Sequence, residues 1–182
     1  MERIRVCVVG ATGFAGIEVC RLVLGHPNME LAMATDRKEA GTRLDAVYPS
    51  FAGACDLELS LPEPDAIAQA ADVAFLAVPH TASLALTPEL LRRGVTVLDL
   101  SADYRLHDPQ VYEQWYNTPH TSQELLSQTV YGLPELNREG SHPRTGRAPR
   151  RRPGRPGLRA GLLSHGHGPC RHARPLRGPG RR

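Results

Sequence analysis

Residues 4–16 have the sequence Ile-Arg-Val-Cys-Val-Val-Gly-Ala-Thr-Gly-Phe-Ala-Gly, and this segment is the strongest indication of the architecture. Its first six residues form a run rich in β-branched side chains, which is typical of a strand buried on both faces of a sheet. The next seven residues hold three glycines in the pattern G-x-x-G-x-x-G, and an apolar helical pattern follows until Gly25. A strand, a glycine-rich turn and a helix in direct succession predict the first βα unit of a parallel sheet.

The three glycines of this turn favour a binding site for the phosphates of a dinucleotide. A backbone without side chains can turn tightly and approach a pyrophosphate, and the next helix directs its free N–H groups at the phosphate charge. A turn with a structural role only is the alternative, but the strand before it and the helix after it favour binding. The predicted cofactor-binding residues of the turn are Gly10, Thr12, Gly13, Phe14, Ala15 and Gly16.

The residues around position 36 bear on which dinucleotide binds. Asp36 lies 20 residues beyond Gly16, where an acid would hold a ribose 2′-hydroxyl and favour NAD. Arg37 and Lys38 follow directly and, with the hydroxyl of Thr35, would pair with a 2′-phosphate and favour NADP. These residues support the two cofactors almost equally, and a solvated turn at Arg37 and Lys38 is a third interpretation.

Strand and helix patterns alternate along residues 1–140, which we take as one domain. They predict an α/β fold, a Rossmann-like doubly wound parallel sheet with helices on both faces. A capping-box pattern runs from Thr121 to Glu124, and Trp115 is assigned to the core. The further predicted strands are 30–35, 73–78 and 95–100, and the predicted helices between them are 65–71 and 83–93.

Two loops follow predicted strands at the edge where ligands bind in this architecture. Pro79 and His80 end the third strand, and His80 is either a polar contact near a nicotinamide ring or a surface histidine. Ser101 follows the fourth strand and is a candidate cofactor contact. Asp103 and Arg105 lie in the same loop and are candidates for orienting a carboxylate substrate, although an ion pair between them is equally supported.

Residues 141–182 differ sharply in composition from residues 1–140. They hold 12 arginines and no acid, a net charge of +12, whereas residues 1–140 hold all 19 acids and have a net charge of −9. Of these 42 residues, 31 are Arg, Gly, Pro or His. Such a segment cannot bury enough apolar surface to offset the entropy of ordering, so we expect a disordered basic tail. Nucleic-acid binding is less favoured, because no aromatic residue interleaves with the arginines.

Other features narrow the class of protein. The apolar runs are too short to cross a bilayer, and no signal-peptide pattern precedes the first strand, so we expect a cytoplasmic protein with no membrane contact. The four cysteines, at positions 7, 20, 55 and 170, form no CxxC pair and no metal-ligand spacing. We therefore predict reduced cysteines and no metal site.

Four blocks of the sequence resemble N-acetyl-γ-glutamyl-phosphate reductase, a family of the semialdehyde dehydrogenase superfamily, over about residues 3–140. They are residues 10–16, Phe-Leu-Ala-Val-Pro-His at 75–80, Asp-Leu-Ser-Ala-Asp-Tyr-Arg-Leu at 99–106 and Tyr-Gly-Leu-Pro-Glu at 131–135. The resemblance implies NADPH-dependent reduction of N-acetyl-γ-glutamyl phosphate to N-acetylglutamate semialdehyde in arginine biosynthesis, with release of phosphate. It also implies a cysteine nucleophile, a histidine base in a second domain and homo-oligomers, and it favours NADP over NAD.

Three other functions compete with this one. An extended short-chain dehydrogenase needs a tyrosine four residues before a lysine, and the one lysine, Lys38, has no tyrosine at that spacing. Aspartate-semialdehyde dehydrogenase has a similar glycine loop, but the block at 101–106 argues against it. A non-catalytic dinucleotide-binding fragment stays open as an alternative.

The sequence departs from the resembled family at its nucleophile. The family carries an Asn-Pro-Gly-Cys-Tyr-type motif soon after the Gly-Leu-Pro-Glu block, and this chain has no such motif. We therefore expect no catalytic nucleophile, a missing second domain and an inactive chain. A permitted coding of residues 160–169, read one base later, gives Pro-Gly-Cys-Tyr-Pro-Thr-Ala-Thr-Ala-Leu, so we interpret residues 141–182 as out-of-frame translation.

Overall fold

The computed structural model describes residues 2–132 and the backbone of residues 160–162. Its strands all pair in parallel, in the order β2-β1-β3-β4-β6-β5, so the predicted Rossmann-like sheet is confirmed. The strands are β1 (Ile4–Val9), β2 (Met29–Thr35), β3 (Val73–Leu76), β4 (Thr96–Asp99), β5 (Val130–Tyr131) and β6 (Ala160–Leu162). The helices are α1 (Phe14–Leu24), α2 (Leu44–Val47), α3 (Pro64–Ala70), α4 (Ala82–Arg92), α5 (Pro109–Tyr116) and α6 (Gln123–Leu126).

The sheet has an apolar layer on each face, because alternate residues of a strand point in opposite directions. Cys7 and Val9 of β1 join a buried cluster that includes residues of α3 and α4. Val6 and Val8 join a second cluster that includes residues of α1. The run of four fully buried residues in β1 therefore has packing partners on both sides, as the uninterrupted apolar pattern predicted.

Two local predictions in the segment 109–126 are wrong. Trp115 is 76% exposed on α5, and Tyr112 is the buried aromatic residue of that helix. The predicted capping box does not form, because the cap of α6 is Ser122 and its hydroxyl donates to the carbonyl oxygen of Leu84 at 3.2 Å. A tertiary hydrogen bond has taken the place of the local one.

Within residues 141–182, the structure describes only the backbone of residues 160–162. These residues form β6 between β4 and β5, in a register that places Gly161 beside Leu98 and Val130. Ala-Gly-Leu is a short stretch without arginine or proline, so its backbone can pair in a sheet at no cost in buried charge. The rest of 141–182 and the end of the 131–135 block lie outside the described residues.

Among residues 2–132 and 160–162, no helix combines the length and the apolar character needed to cross a membrane.

Candidate cofactor-binding site

Two glycines shape the turn between β1 and α1 because their surroundings leave no room for a side chain. Gly10 has φ +78°, and a Cβ atom there would lie 2.4 Å from the carbonyl oxygen of Ala77, just beyond β3. A Cβ atom at Gly16 would lie 2.0 Å from the carbonyl oxygen of Gly10. Gly10 therefore permits close contact with β3, and Gly16 permits close packing of α1 on the turn.

The third glycine of the turn, Gly13, lies at the N-cap of α1, where a side chain would not be crowded. A Cβ atom there would have its nearest neighbour at 3.5 Å, an ordinary contact. Gly13, Phe14 and Ala15 are exposed, and Phe14 is 98% exposed. The helical hydrogen bonds begin with Ile17 N–H donating to the Gly13 carbonyl at 2.9 Å, so the first three helical N–H groups have no acceptor within α1.

The N-terminus of α1 is therefore well suited to an anion. Its first turn contains no acidic residue, so the positive end of the helix dipole is not neutralised by the helix itself. Exposed backbone donors and a positive helix end are the features by which such turns bind a pyrophosphate.

The turn is anchored from below by the end of β2. The N–H groups of Gly10 and Ala11 both donate to the carbonyl oxygen of Thr35, at 2.9 and 3.0 Å. Thr35 is fully buried, and its hydroxyl has no hydrogen-bond partner among the described residues. The visible contribution of Thr35 is its carbonyl, because its side chain lies beneath the turn rather than at the exposed edge.

Asp36, the next residue, ties β2 to the side of the turn. Its Oδ2 accepts a hydrogen bond from the Thr12 hydroxyl at 2.5 Å, and its Oδ1 accepts from the N–H groups of Lys38 at 2.8 Å and Glu39 at 3.2 Å. Burial raises the pKa of Asp36, but these hydrogen bonds outweigh burial, and the pKa lies below its ordinary value. Asp36 is therefore ionised, and its neighbours Arg37 and Lys38 are exposed.

A second contact holds the turn from the other side. The hydroxyl of Tyr48 donates to the carbonyl oxygen of Thr12 at 2.5 Å. Sequence reasoning missed Tyr48, because no local pattern links a tyrosine 36 residues away to the glycine turn.

The loop after β3 continues the same edge of the sheet. Pro79 and His80 are exposed, and the His80 ring lies 5.5 Å from the ring of Tyr116, centroid to centroid. Thr81 has φ +72°, which is an uncommon and strained conformation for a β-branched residue. Because Ala77 packs on Gly10, this loop begins directly beside the glycine turn.

Asp103, in the loop after β4, is fully buried and makes hydrogen bonds through both carboxylate oxygens. Oδ1 accepts from the Thr81 N–H at 2.8 Å and from the Tyr112 hydroxyl at 2.7 Å, and Oδ2 accepts from the Ser83 hydroxyl at 2.7 Å. The predicted contact of Asp103 with a substrate has no exposed oxygen to rely on in this arrangement.

Arg105 has a different environment from Asp103. The two side chains form no ion pair, so that alternative interpretation of the loop is not seen in the structure, where the Arg105 guanidinium donates through Nη2 to the Ser101 carbonyl at 3.2 Å. Its Nε is buried without a hydrogen-bond partner among the described residues. An unpaired guanidinium N–H at the carboxyl edge of the sheet is a candidate donor to an anionic ligand.

The cysteines of the described part of the chain are shielded from solvent. Cys7, Cys20 and Cys55 are buried free thiols. Burial raises the pKa of Cys7 to about 12, and burial raises that of Cys20 to about 12 as well. Residues 2–132 also contain no group of three or more metal-ligating side chains. Cys170 lies outside the described residues.

The predicted site residues thus lie along one edge of the sheet, at the carboxyl ends of β1 to β4. They differ in exposure. Gly13, Phe14, Ala15, Arg37, Lys38, Pro79 and His80 are exposed; Gly10, Thr12 and Arg105 are half-buried; and Gly16, Thr35, Ser101 and Asp103 are buried.

A parallel sheet with a glycine turn of this geometry at its first helix defines a dinucleotide-binding domain. The family model described as "Semialdehyde dehydrogenase, NAD binding domain" matches residues 5–142, and the chain belongs to this family.

Curated relatives bear the name of the family that the sequence resembles. N-acetyl-gamma-glutamyl-phosphate reductase of Syntrophobacter fumaroxidans is 50% identical over 136 residues, which are 75% of this chain and 39% of that protein. The enzyme of the same name from Nitrosococcus oceani is 46% identical over 136 residues, 75% of this chain and 40% of that protein. The predicted resemblance is confirmed, and the chain spans about two-fifths of the length of these relatives.

Two solved structures of aspartate semialdehyde dehydrogenases share the fold. The Candida albicans enzyme, solved with NADP, has a TM-score of 0.52 at 19% identity and covers 59% of this chain and 32% of its own. The second enzyme from Vibrio cholerae has a TM-score of 0.51 at 15% identity, covering 76% of this chain and 37% of its own.

Proposed function

We propose that this domain binds NADP and belongs to an enzyme that reduces N-acetyl-γ-glutamyl phosphate to N-acetylglutamate semialdehyde. The observation that carries the proposal is the turn at residues 10–16, with its exposed helix N-terminus, in a chain whose curated relatives bear that enzyme's name. When bound, the cofactor supplies a hydride. The proposal places this step in the cytoplasm and in a homo-oligomer of the complete enzyme.

The residues of the turn hold the pyrophosphate in this proposal. Phe14 and Ala15 are exposed at the start of α1 with N–H groups that lack a helical acceptor, and Gly13 places no side chain beside the Gly10 and Ala77 carbonyl oxygens. Thr12 acts differently, because its hydroxyl donates to Asp36 and its carbonyl accepts from Tyr48. We therefore assign Thr12 the task of fixing the turn before the cofactor arrives.

The choice of NADP over NAD depends on the end of β2. The carboxylate of Asp36 already accepts three hydrogen bonds from the protein, which reduces its capacity to hold a ribose hydroxyl. Arg37 and Lys38 are exposed, and no ion pair involves either residue among residues 2–132. Arg37 also lines a shallow cavity of about 310 Å³ with Leu61, Pro62 and Glu63. This cation pair is the proposed partner of a 2′-phosphate.

We assign binding of the nicotinamide end of the cofactor and of the substrate to the loops after β3 and β4. His80 and Pro79 are exposed beside the turn and are the proposed contacts of the nicotinamide half. Arg105, with its unpaired Nε, is the proposed donor to an anionic group of the acyl phosphate. Ser101 and Asp103 are buried and support these loops from within.

Nucleotide binding to the 182-residue chain tests the cofactor proposal. By titration calorimetry, we expect NADPH to bind at least tenfold tighter than NADH. Replacing Arg37 and Lys38 by alanine is expected to weaken NADPH binding by about 10- to 100-fold and to leave NADH unchanged, since a hydrogen bond to a charged group contributes roughly 1.5–3 kcal/mol. The control replaces two exposed arginines away from the site, Arg21 and Arg43. Tighter binding of NADH would favour NAD, and no binding of either nucleotide would refute the proposed site.

We further propose that the chain of 182 residues does not turn over substrate and that residues 141–182 are translated out of frame. The three described thiols are buried, burial raises the pKa of Cys7 and of Cys20, and the sequence contains no Asn-Pro-Gly-Cys-Tyr motif. The assay is oxidation of NADPH in the presence of N-acetyl-γ-glutamyl phosphate. Measurable turnover would refute inactivity, whereas binding without turnover favours a non-catalytic fragment. Sequencing the gene across codons 135–170 tests the frame, and codons that cannot give Pro-Gly-Cys-Tyr one base later would exclude the shift.

A further inference from the structure

A compact cluster of four buried side chains connects β4, the loop after it and the first turn of α4. The Ser83 hydroxyl oxygen lies 2.8 Å from Asp99 Oδ2, 2.7 Å from Asp103 Oδ2 and 2.9 Å from the Ser101 hydroxyl oxygen. The Ser101 hydroxyl oxygen also lies 2.9 Å from Asp99 Oδ2. One serine oxygen therefore bridges two carboxylates that are 1% and 0% exposed.

The number of protons limits which of these contacts are hydrogen bonds. Four oxygen–oxygen contacts lie within 2.9 Å, but the two serine hydroxyls supply only two protons. Two contacts would then join unprotonated oxygens at close range, which is costly in a buried site. A third proton, on Oδ2 of Asp99, lets Asp99 donate to Ser83 while Ser83 donates to Asp103 and Ser101 donates to Ser83 or Asp99, which leaves one such contact instead of two.

The charges around the cluster point in the same direction. Among the described residues, neither Asp99 nor Asp103 forms an ion pair, so two ionised carboxylates would repel one another without compensation. At Oδ1, Asp103 accepts two hydrogen bonds, from Thr81 and Tyr112, whereas Asp99 accepts one, from the Ser101 N–H at 2.8 Å. Asp99 is thus the member of the pair that carries the proton.

The basic side chains Arg105 and His120 of this region contact backbone carbonyls rather than the two carboxylates. The Arg105 guanidinium donates to the carbonyl of Ser101, and His120 contacts the backbone carbonyl of Asp103 at 2.8 Å. From the remaining packed elements, α5 contributes the neutral hydroxyl of Tyr112, the loop contributes Tyr104, and α4 contributes serine and threonine only.

Asp103 also holds the strained residue at the start of α4. The N–H group of Thr81, whose φ is +72°, donates to Asp103 Oδ1 at 2.8 Å. A β-branched residue adopts this backbone conformation only where its surroundings enforce it. His80 directly precedes Thr81, so the same hydrogen bond fixes the position of the exposed His80 in the loop after β3.

We propose that Asp99 and Asp103 hold one proton between them through Ser83, and that the anionic end of this cluster, Asp103, is a positioning residue that keeps Thr81 left-handed and so places His80. This inference does not depend on bound nucleotide, so its failure would leave the proposed cofactor site untouched.

Titration of the unmodified chain tests the shared proton directly. The sequence has eight aspartates, and labelling their carboxyl carbons with ¹³C lets NMR follow each one between pH 3 and 8. We expect one resonance to keep its proton above pH 5 and a second to respond to the same titration. In Asp99→Asn we expect the titration above pH 5 to disappear, because the carboxyl group that carries the proton is gone. The amide can still donate to Ser83, as the protonated acid does, so the cluster is kept. Asp56 is exposed, and Asp56→Asn is the matched control that leaves the high titration in place. Loss of all eight protons below pH 5 would overturn the proposal.

A double-mutant cycle tests the positioning role. Asp103→Ala removes the acceptor of the Thr81 N–H, and Thr81→Gly removes the strain that this acceptor holds. We expect Asp103→Ala to lower the urea midpoint of unfolding in both backgrounds, and to lower it more when residue 81 is glycine, because only threonine regains strain energy when the hydrogen bond is lost. The loss of buried volume at position 103 is the same in both backgrounds and cancels. Equal shifts in the two backgrounds would show that Asp103 does not hold Thr81.

Discussion

The substitution Gly16→Ala offers the sharpest test of how the turn is built. The added Cβ atom would lie 2.0 Å from the Gly10 carbonyl oxygen, 2.8 Å from the Gly10 carbonyl carbon and 2.9 Å from the Ala11 Cα atom, where ordinary contacts begin near 3.4 Å. All three neighbours are backbone atoms, so no side chain can rotate away, and the turn or α1 must move by about 1 Å. Overpacking of this kind costs about 1–3 kcal/mol.

One favourable effect opposes this cost. Alanine is a better helix former than glycine by about 1 kcal/mol in a helix interior, and residue 16 is the third residue of α1. Because backbone atoms on the turn are involved, we place the overlap cost near the upper end of its range. The expected net loss of unfolding free energy is about 1–2 kcal/mol.

Gly13→Ala is the matched comparison, because its added Cβ atom meets nothing closer than 3.5 Å. Alanine at an N-cap is modestly less favourable than glycine, so the expected loss of stability is below about 1 kcal/mol. The new methyl group would lie against the carbonyl oxygens of Gly10 and Ala77, at the exposed start of α1 where we propose that the pyrophosphate binds. We therefore expect NADPH binding to weaken at least tenfold while the fold is kept.

Urea unfolding followed by circular dichroism and NADPH titration calorimetry separate the two effects. Gly25→Ala, at the other end of α1 with no atom closer than 3.7 Å, serves as the control that changes neither property greatly. A Gly16→Ala variant as stable as the unmodified chain would refute the packing argument. A Gly13→Ala variant with unchanged affinity for NADPH would refute the assignment of the glycine turn to the cofactor.

Two further predictions concern buried groups near the site. Thr12→Val removes the hydrogen bond to the ionised Asp36 and is expected to lower the free energy of unfolding by about 1–2 kcal/mol at pH 7. Since the pKa of Asp36 is lowered in the folded state, urea unfolding should show this deficit narrowing as the pH falls below about 4. A deficit that does not depend on pH would contradict the hydrogen bond. Burial raises the pKa of Cys7 and Cys20 to about 12, so iodoacetamide at pH 8 should leave both unmodified in the native chain and alkylate both in urea; rapid native labelling, measured by mass spectrometry of the peptides, would contradict their burial.

The parts of the fold that the sequence predicts are those encoded within a few residues. Residues 4–16 carry strand, turn and helix in one uninterrupted pattern, and the structure reproduces them closely. Side chains that act over long separations left no such pattern. Tyr48 reaches Thr12 across 36 residues and Ser83 reaches Asp103 across 20, so only the folded chain reveals these contacts.

Exposure was the harder property to predict at the level of single residues. Asp103 is a charged residue in a loop after a strand, which favours contact with a ligand. It is nevertheless fully buried, because its carboxylate accepts hydrogen bonds from Ser83, Tyr112 and the Thr81 N–H. Trp115 has the large aromatic side chain typical of a core residue, yet Tyr112, one helical turn earlier, occupies the core position. In both cases tertiary partners decide the burial, and a single sequence does not show which partners will be within reach.

The shared proton of the Asp99–Asp103 pair should make the free energy of unfolding depend on pH by a measurable amount. Burial raises the pKa of Asp99 to about 6, above the value near 3.9 expected in the unfolded chain. Between these values the folded state binds more protons than the unfolded state, so the contribution of Asp99 is fully present below about pH 4 and is lost as the pH rises through 6. The corresponding loss is about 2–3 kcal/mol, since each pKa unit corresponds to about 1.4 kcal/mol. Lowered pKa values at other carboxylates, such as Asp36, act in the opposite sense below about pH 5, so the comparison must be made between variants rather than on the unmodified chain alone. Urea unfolding from pH 4.5 to 7.5 should show Asp99→Asn gaining about 2 kcal/mol relative to the unmodified chain, while Asp56→Asn gains nothing. A difference between Asp99→Asn and the unmodified chain that stays constant over this range would mean that Asp99 releases its proton as an ordinary carboxyl does, and the four short contacts around Ser83 would then need another explanation.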